Sequence, residues 1–284
     1  YAMNYINPYY RVKMTKDDFS RVSNYIYNEL GIKMPPEKQV MLQSRLLKRL
    51  SELKINSFKE YLDFVFSKAS KDHELIKMID LVTTNKTDFF REPGHFQYLT
   101  DHVLPELIEI KKKRKIKIWS AGCSSGEEPY TLAMVLTDYL RDYPGVEFEI
   151  LGTDLSMRIL EKAYYGVYAI DRIATLPLSI KQKYFLKSKN PEDKTVRVIK
   201  DLRSKVTFQR MNLMDGSYPV DYDFDIIFCR NVIIYFERDT QEKVINKIMN
   251  HLRPKGYFFI GHSESLTNMN VPVRNVKPTI FIKS

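Results

Sequence analysis

The sequence of 284 residues predicts an α/β fold preceded by an all-α domain, and three observations support this prediction. Helical periodicity runs through residues 15–70. A short β-branched run at residues 116–120 then ends in a glycine-containing loop that leads into a second helical pattern. From there to the end, strand and helix patterns alternate, which indicates βαβ units around a parallel sheet.

The composition is that of a globular protein with a strong positive charge. Hydrophobic residues make up 44% of the chain, and the net charge is +10. Such a charge indicates an acidic partner, which leaves nucleic acid, anionic lipid and an acidic protein surface open. The sequence contains no apolar run near the roughly 18–20 residues that a membrane span requires, and it has no signal-peptide pattern at its start. We therefore expect a cytoplasmic protein that does not insert into membranes.

Cysteine and histidine usage gives no sign of a metal site. The two cysteines are too few for a disulfide framework or a four-ligand zinc site, and the five histidines lack ligand spacing. Cys123 and Cys229 each lie at a predicted strand end, where a cysteine is more often a small packing residue than a nucleophile. We expect no bound metal.

The first 84 residues divide into a start and a helical domain. Residues 1–13 are interpreted as a disordered or expression-derived start, and residues 14–84 as the helical domain. Thr15 is a candidate N-cap, Gly31 a candidate helix end, and a second helix follows two prolines. One face of that second helix is apolar, and another carries Lys38, Arg45 and Arg49. This stripe is either a solvated surface or a docking face.

Residues 85–98 form a polar segment between the two predicted domains. It contains capping residues, the aromatic pair Phe89 and Phe90, and Arg91. Ligand clefts tend to form at such junctions. Residues 99–284 are assigned to the α/β domain.

The glycine loop after the first strand predicts a binding site for a cation. Gly122 and Gly126 flank small residues, and Glu127 and Glu128 open the following helix. The spacing matches neither the dinucleotide fingerprint nor the P-loop, and the two acids would repel phosphate. S-adenosylmethionine carries a sulfonium and an ammonium, so it suits this loop better. The alternative is an ordinary strand-to-helix turn whose acids complement the helix dipole.

Polar residues follow three further predicted strands. Asp154 comes after the second strand, where an acid can accept both hydroxyls of a ribose. Asn212 and Leu213 follow the third strand and could hold adenine. Residues 228–236 end the fourth strand. Because the carboxyl ends of parallel strands meet at one edge of a sheet, these residues are expected to converge.

Two further stretches complete the predicted α/β domain. Residues 196–200 alternate in polarity, which predicts a small antiparallel β-subdomain at about residues 184–208. Residues 271–282 have strand character without a long preceding helix, so we expect them to pair antiparallel at the end of the sheet. This arrangement is a trait of methyltransferases.

Taken together, these motifs resemble the chemotaxis receptor glutamate methyltransferases of the CheR family. The resemblance covers nearly the whole chain and rests on five stretches in this order: TTNKTDFFREPGHF, WSAGCSSGEEPYTLAM, GTDLS, FCRNVIIYF and GHSES. It implies an N-terminal helical domain, a Rossmann-like methyltransferase domain with a small β-subdomain, and methyl transfer from S-adenosylmethionine to receptor glutamates, with S-adenosylhomocysteine as product.

The resemblance also implies roles for individual residues. Glu128 would meet the ammonium of the cofactor, Asp154 its ribose, and Arg230 and Asn231 its methionine portion. Arg91 and Tyr235 would face the reacting glutamate as the catalytic pair. The complete cofactor set that the resemblance implies is Asn85, Thr87, Arg91, Ala121, Gly122, Glu128, Asp154, Asn212, Leu213, Arg230 and Asn231. The docking set for the acidic receptor helix bundle is Arg45, Lys48 and Arg49.

The predicted chemistry needs no catalytic base. A glutamate side chain, with a pKa of about 4.3, is already an anion at neutral pH.

Residues 187–194 lack the glycine found in family members that tether to a receptor peptide, so tethering is not expected. The alternatives are a methyltransferase that acts on nucleic acid and a non-catalytic S-adenosylmethionine-binding adaptor. The expected protein is a monomer that does not bind nucleic acid.

Overall fold

The computed structural model describes residues 11–70 and 73–284. The chain forms two compact units. One contains the described residues up to Thr84 together with Tyr235–Glu237, and the other contains Asn85–Ile234 and Arg238–Ser284. Most of the start predicted at residues 1–13 lies outside the described residues.

The N-terminal unit is helical, as predicted. Its helices are α1 (Lys16–Leu30), α2 (Gln39–Leu53), α3 (Phe58–Val65) and α4 (His73–Val82). Thr15 caps α1 by accepting from the N–H of Asp18, whose carboxylate in turn accepts from the N–H of Thr15. Gly31 ends α1 in the left-handed conformation, with φ at 69°. Both helix boundaries were predicted from the sequence.

The apolar face of α2 forms part of the core of this unit. Leu42, Leu46 and Leu50 have no exposed surface. Their spacing of four residues places them on one side of the helix, as the sequence predicted. The remaining faces of α2 therefore carry its polar residues.

The second unit is an α/β domain. Its large sheet contains β1 (Lys115–Ala121), β2 (Glu147–Asp154), β6 (Val206–Arg210), β7 (Phe224–Cys229), β8 (Leu252–Ile260), β9 (Val273–Lys277) and β10 (Ile280–Lys283). Its helices are α5 (Gly94–Tyr98), which continues in π-helical turns to Ile110, α6 (Glu127–Tyr139), α7 (Met157–Tyr165), α8 (Leu178–Tyr184), α9 (Lys200–Arg203) and α10 (Arg238–Met249).

The strand order of the large sheet is β6-β2-β1-β7-β8-β10-β9. The five strands from β6 to β8 pair in parallel. Strand β10 pairs antiparallel with both β8 and β9. The predicted parallel sheet with an antiparallel end is confirmed, and it places the carboxyl ends of β6, β2, β1, β7 and β8 along one edge.

The central strands are apolar and buried. All six residues of β7 are buried, and so are the last four of β1. Buried parallel strands read as continuous hydrophobic runs because helices cover both faces of such sheets. Polar chemistry in this domain therefore concentrates at the strand ends.

A second, three-stranded antiparallel sheet lies within the same unit. Its strands are β3 (Val167–Ala169), β4 (Phe185–Lys187) and β5 (Thr195–Val198), in the order β3-β5-β4. The predicted antiparallel insertion is present. The small sheet also includes β3, which precedes the predicted range of 184–208 and pairs with β5 through Val167 and Arg197. Residues 206–210, at the end of the predicted range, belong instead to the large sheet as β6.

Membrane insertion was not expected from the sequence. Among the helices in the described part of the chain, none is both long and apolar enough to cross a bilayer.

Candidate active site

The glycine loop joins β1 to α6 and packs closely against the loop that follows β7. Gly122 has φ at +75°, and its N–H and that of Cys123 both donate to the carbonyl of Thr153 at 2.8 Å. A Cβ at Gly122 would lie 2.3 Å from Cγ2 of Val232. Both the backbone conformation and the close contact therefore require glycine.

Asp154 lies at the end of β2, directly beside this loop. Its Oδ2 accepts from the N–H of Ser124 at 2.8 Å, and its Oδ1 accepts from the N–H of Ser156 at 3.1 Å. These two hydrogen bonds fix the orientation of the carboxylate. The carboxylate is therefore held at the carboxyl end of β2. The geometry is suited to a diol such as a ribose.

Glu128 and Arg230 form a buried ion pair between the start of α6 and the end of β7. Nε of Arg230 lies 2.8 Å from Oε2 of Glu128, whose Oε1 accepts from Ser120 Oγ at 2.7 Å. The Arg230 side chain is only 2% exposed and lies against the rings of Phe96 and Phe228. The pair is held from several sides and keeps one acidic and one basic group at the strand ends.

The segment from Asn85 to Arg91 is attached to these strand ends through its backbone. The carbonyl of Asn85 accepts from Ser124 Oγ at 3.2 Å, and the carbonyl of Arg91 accepts from Arg230 Nη1 at 2.8 Å. The N–H of Phe90 donates to Thr131 Oγ1 at 3.1 Å. The Arg91 guanidinium donates to the carbonyl of Lys86 at 3.2 Å. The structure thus brings Asn85 and Arg91 beside the glycine loop and Arg230.

Arg172 is a residue of this site that the sequence analysis missed. Its guanidinium donates to the carbonyl of Thr87, to Asp88 at 3.2 Å and to Glu127 at 2.9 Å. Glu127 is 1% exposed, so Arg172 neutralises a buried acid. It ties the segment bearing Thr87 to the first turn of α6. Its partner Glu127 is 45 positions away, and no local pattern signals such a pairing.

Asn212 and Leu213 follow β6 beside the end of β2. The N–H of Met211 donates to the carbonyl of Asp154 at 2.9 Å, which holds the two strand ends together. Oδ1 of Asn212 accepts from the N–H of Met214 at 3.0 Å, and Leu213 is 9% exposed. An amide and an apolar side chain therefore adjoin Asp154, and their contact with adenine stays a prediction.

Tyr235 and the cationic residues of α2 belong to the N-terminal unit. The carbonyl of Tyr235 accepts from the N–H of Lys33 at 3.0 Å. Arg45 donates to the carbonyls of Val82 and Thr83 at the end of α4. The catalytic role of Tyr235 stays a prediction.

Arg49 forms a pair with the buried acid Glu74. Its Nε and Nη2 lie 2.6 and 2.7 Å from the two carboxylate oxygens of Glu74, which also accepts from the hydroxyl of Tyr61. By contrast, Lys48 is exposed. Two cations of the predicted docking set thus support the helical unit itself, and the docking role of the set stays a prediction.

Glu92, His95 and His262 bring three potential metal ligands within 4.8 Å of one another. Oε2 of Glu92 lies 3.6 Å from Nδ1 of His95 and 3.7 Å from Nε2 of His262. However, Nη1 of Arg230 lies 3.0 Å from the same Nδ1 and 3.7 Å from the same Oε2. Since a guanidinium keeps its positive charge, it already occupies the place that a cation would take. We assign no metal to this cluster.

The buried thiols and His95 are poor nucleophiles and bases. Burial raises the pKa of Cys123 and of Cys229 well above the ordinary value. Burial and the neighbouring guanidinium of Arg230 lower the pKa of His95 to about 4. These three groups are therefore neutral near pH 7.

Comparison with known proteins agrees with this architecture. Residues 17–83 match the model of the CheR methyltransferase all-alpha domain, and residues 85–282 match that of the CheR methyltransferase SAM binding domain. A chemotaxis protein methyltransferase of Borreliella burgdorferi is 39% identical, with 96% of each chain covered. Chemotaxis protein methyltransferase 2 of Pseudomonas aeruginosa is 35% identical, over 94% of this chain and 93% of that protein. The chemotaxis protein methyltransferase of Escherichia coli is 36% identical, over 91% and 88%.

The matches extend through both units, and they agree with the helical unit, the mixed seven-stranded sheet and the small antiparallel sheet described above. The chain belongs to the CheR methyltransferase family, and its α/β unit is the domain that binds S-adenosylmethionine.

Proposed function

We propose that this protein transfers the methyl group of S-adenosylmethionine to the side-chain carboxylate of glutamates in bacterial chemoreceptors, forming methyl esters. One observation carries the proposal: the similarity to chemotaxis protein methyltransferases spans both the helical and the cofactor-binding unit. The relatives are named for chemotaxis, so a partner that this chain has in common with them would be a chemoreceptor. The proposed place of action is the cytoplasm, and the proposed state is a monomer.

The residues at the strand ends fit the cofactor. Gly122 lets the glycine loop pack directly against Val232, which sets the position of the loop beside Asp154 and Glu128. The oriented carboxylate of Asp154 can accept two ribose hydroxyls, and the acid of Glu128 suits the ammonium. When bound, the cofactor supplies a methyl group on a positively charged sulfur. The protein's own contribution is to bind and orient the two reactants and to exclude water.

The raised pKa of the two buried thiols leaves little thiolate, and the lowered pKa of His95 makes it a weak base, which supports a reaction without a protein nucleophile or base. A glutamate carboxylate is already ionised at neutral pH and can attack the methyl carbon directly. Anion and cation lose their charges together in the transition state, so a dry site favours the step. Removing water from the carboxylate is costly, and a nearby donor offsets that cost.

Arg91 is the proposed donor to the reacting carboxylate. Its backbone carbonyl accepts from Arg230, and its side chain donates to the carbonyl of Lys86. A charge-assisted hydrogen bond to one oxygen would orient the substrate and leave the other oxygen to attack. Tyr235 is proposed as a second donor.

The proposed receptor surface is an acidic helix bundle, and the exposed cation of α2 is Lys48. Because Arg49 neutralises Glu74, replacing Arg49 by an acid would destabilise the helical unit, and weaker binding could then result from unfolding. Lys48→Glu avoids this difficulty. Lys59→Glu on α3 makes the same change of charge at another exposed lysine, where it also breaks a surface ion pair with Asp63, and it serves as the control. We expect Lys48→Glu to weaken receptor binding about fivefold, in a manner that high salt reduces. Equal binding by both variants would place the docking surface elsewhere.

Transfer of a labelled methyl group tests the reaction. The protein and labelled S-adenosylmethionine are incubated with receptor-containing membranes, and alkali is then added. An ester releases labelled methanol, whereas an N-methyl group stays bound. Label in the receptors that alkali does not release would contradict ester formation, and label in added nucleic acid instead of receptors would favour the nucleic-acid alternative.

Arg91→Ala tests the assignment of the donor. We expect turnover to fall by about 100-fold while affinity for S-adenosylhomocysteine changes little, because the lost hydrogen bond is to the methyl acceptor. The exposed Arg141, which pairs with Asp138 on the surface, provides the control Arg141→Ala. Normal turnover by Arg91→Ala would end the proposed role.

A further inference from the structure

Glu264 is a buried acid that contacts two of the loops at the carboxyl edge of the sheet. The residue is 7% exposed. Its Oε1 accepts from the N–H groups of Val232 at 2.9 Å and Ile234 at 3.3 Å. Its Oε2 accepts from the N–H groups of Asn231 at 3.0 Å and Gly261 at 2.6 Å. One carboxylate thus satisfies four backbone donors.

These donors come from the loops after β7 and β8, so Glu264 joins two strand ends. Burial raises the pKa of Glu264, and the four N–H groups act in the opposite direction. An acceptor with two oxygens is required, since a carboxamide would turn its NH₂ group toward backbone donors. Glutamate therefore cannot be replaced here by its neutral isostere without leaving N–H groups unsatisfied.

The loop that Glu264 holds is packed against the glycine loop. A Cβ at Gly122 would lie only 2.3 Å from Cγ2 of Val232. Gly261 also allows Asn231 to approach closely, because a Cβ at Gly261 would lie 2.5 Å from Nδ2 of Asn231. A shift of the loop after β7 would consequently move the surface on which the glycine loop rests.

We infer that Glu264 is a positioning residue for the cofactor: it holds the loop of residues 230–234 in the place that gives the glycine loop its binding conformation. It acts through Val232 and Gly122 and has no contact of its own with the cofactor. The inference concerns binding of S-adenosylmethionine by this family's domain, and it does not depend on the proposed receptor substrate.

The test is the affinity for S-adenosylhomocysteine, measured by calorimetry well below the melting temperature. We expect Glu264→Gln to raise the dissociation constant about tenfold, because unsatisfied backbone donors displace the loop. Turnover at saturating cofactor should fall much less than affinity. The control is Glu242→Gln, since Glu242 also accepts a backbone N–H, from Asn270, but on the surface. The control should stay within about twofold of the wild type.

A second variant covers the case in which Glu264→Gln does not fold. Val232→Ala removes the contact with Gly122 and leaves the carboxylate in place, so it should also raise the dissociation constant, and its effect should be less than additive with that of Glu264→Gln. A purely structural role would lower the melting temperature of Glu264→Gln and leave the dissociation constant of the folded protein unchanged. That result, or unchanged affinity in Val232→Ala, would overturn the inference. The dissociation constants and melting temperatures, which decide the test, require no methyl acceptor, so failure of receptor methylation would not affect the inference.

Discussion

Replacement of Gly122 by alanine is the most informative change to the glycine loop, because it should cause both backbone strain and a steric clash. The residue has φ at +75°, a region that side chains rarely adopt. The new Cβ would also lie 2.3 Å from Cγ2 of Val232, well inside ordinary contact. Gly122→Ala must therefore strain the backbone, displace Val232, or do both.

The two costs can be estimated separately. Holding alanine in the left-handed region costs about 1–2 kcal/mol. Overpacking of a fitted contact typically adds about 1–3 kcal/mol. The sum is about 2–5 kcal/mol, and we expect it to lower the free energy of unfolding and to raise the dissociation constant for S-adenosylhomocysteine, since the glycine loop or Val232 must shift to relieve the clash.

Two other glycines make the estimate testable. Gly145 also has a positive φ, at +88°, but a Cβ there would meet nothing within 4 Å, so Gly145→Ala measures the backbone cost alone. Gly216→Ala has neither feature. Denaturant titration and calorimetry should rank Gly122→Ala as more damaging than Gly145→Ala, and Val232→Ala should partly rescue it. If Gly122→Ala and Gly145→Ala lose the same stability and retain the same affinity, the contact with Val232 has no energetic role.

Four further predictions concern the acid, the two arginines and the histidine described above. Asp154→Ala should weaken S-adenosylhomocysteine binding by at least roughly 100-fold in calorimetry, because two charge-assisted hydrogen bonds to the ribose are lost; unchanged affinity would remove the ribose role. Arg172→Ala should lower the free energy of unfolding by about 1–3 kcal/mol and also weaken cofactor binding, since it leaves a buried acid without its cation; a variant with normal stability and affinity would contradict this. Because the pKa of His95 falls from 6.5 to about 4 on folding, the unfolded chain takes up the proton first as the pH drops, so stability that is complete above pH 6.5 should be lost toward pH 4. His95→Gln should flatten that part of the stability profile, and an identical profile would refute the assignment. Arg49→Met should cost about 3–5 kcal/mol in denaturant titration by leaving Glu74 buried and unpaired, and a cost near zero would show that the pair is not important for stability.

Much of the fold could be predicted because its signals are local. Thr15 and Gly31 bound α1 through contacts within a few residues, so the capping pattern was sufficient. The alternation of strands and helices indicated a parallel sheet, and in such a sheet Asp154 and Arg230 must share one edge. Their common location therefore followed from the order of elements along the chain.

The missing parts of the site depend on pairs that are far apart in sequence. Arg172 meets Glu127 45 positions away, and Glu264 receives N–H groups from residues 30 to 33 positions earlier. Periodicity carries no information on such pairs. Arg49 shows the same limit, because a cation on a helix face reads as a solvated or docking residue until the buried Glu74, 25 positions away, is placed beside it.

S-adenosylmethionine is expected to bind at the carboxyl ends of β1, β2, β6 and β7, and a crystal structure of the protein with S-adenosylhomocysteine tests this most directly. We predict that both ribose hydroxyls lie within hydrogen-bonding distance of the Asp154 carboxylate and that the methionine portion lies beside Glu128. A ligand bound away from this edge of the sheet, or an Asp154 carboxylate without contact to the ribose, would contradict the account.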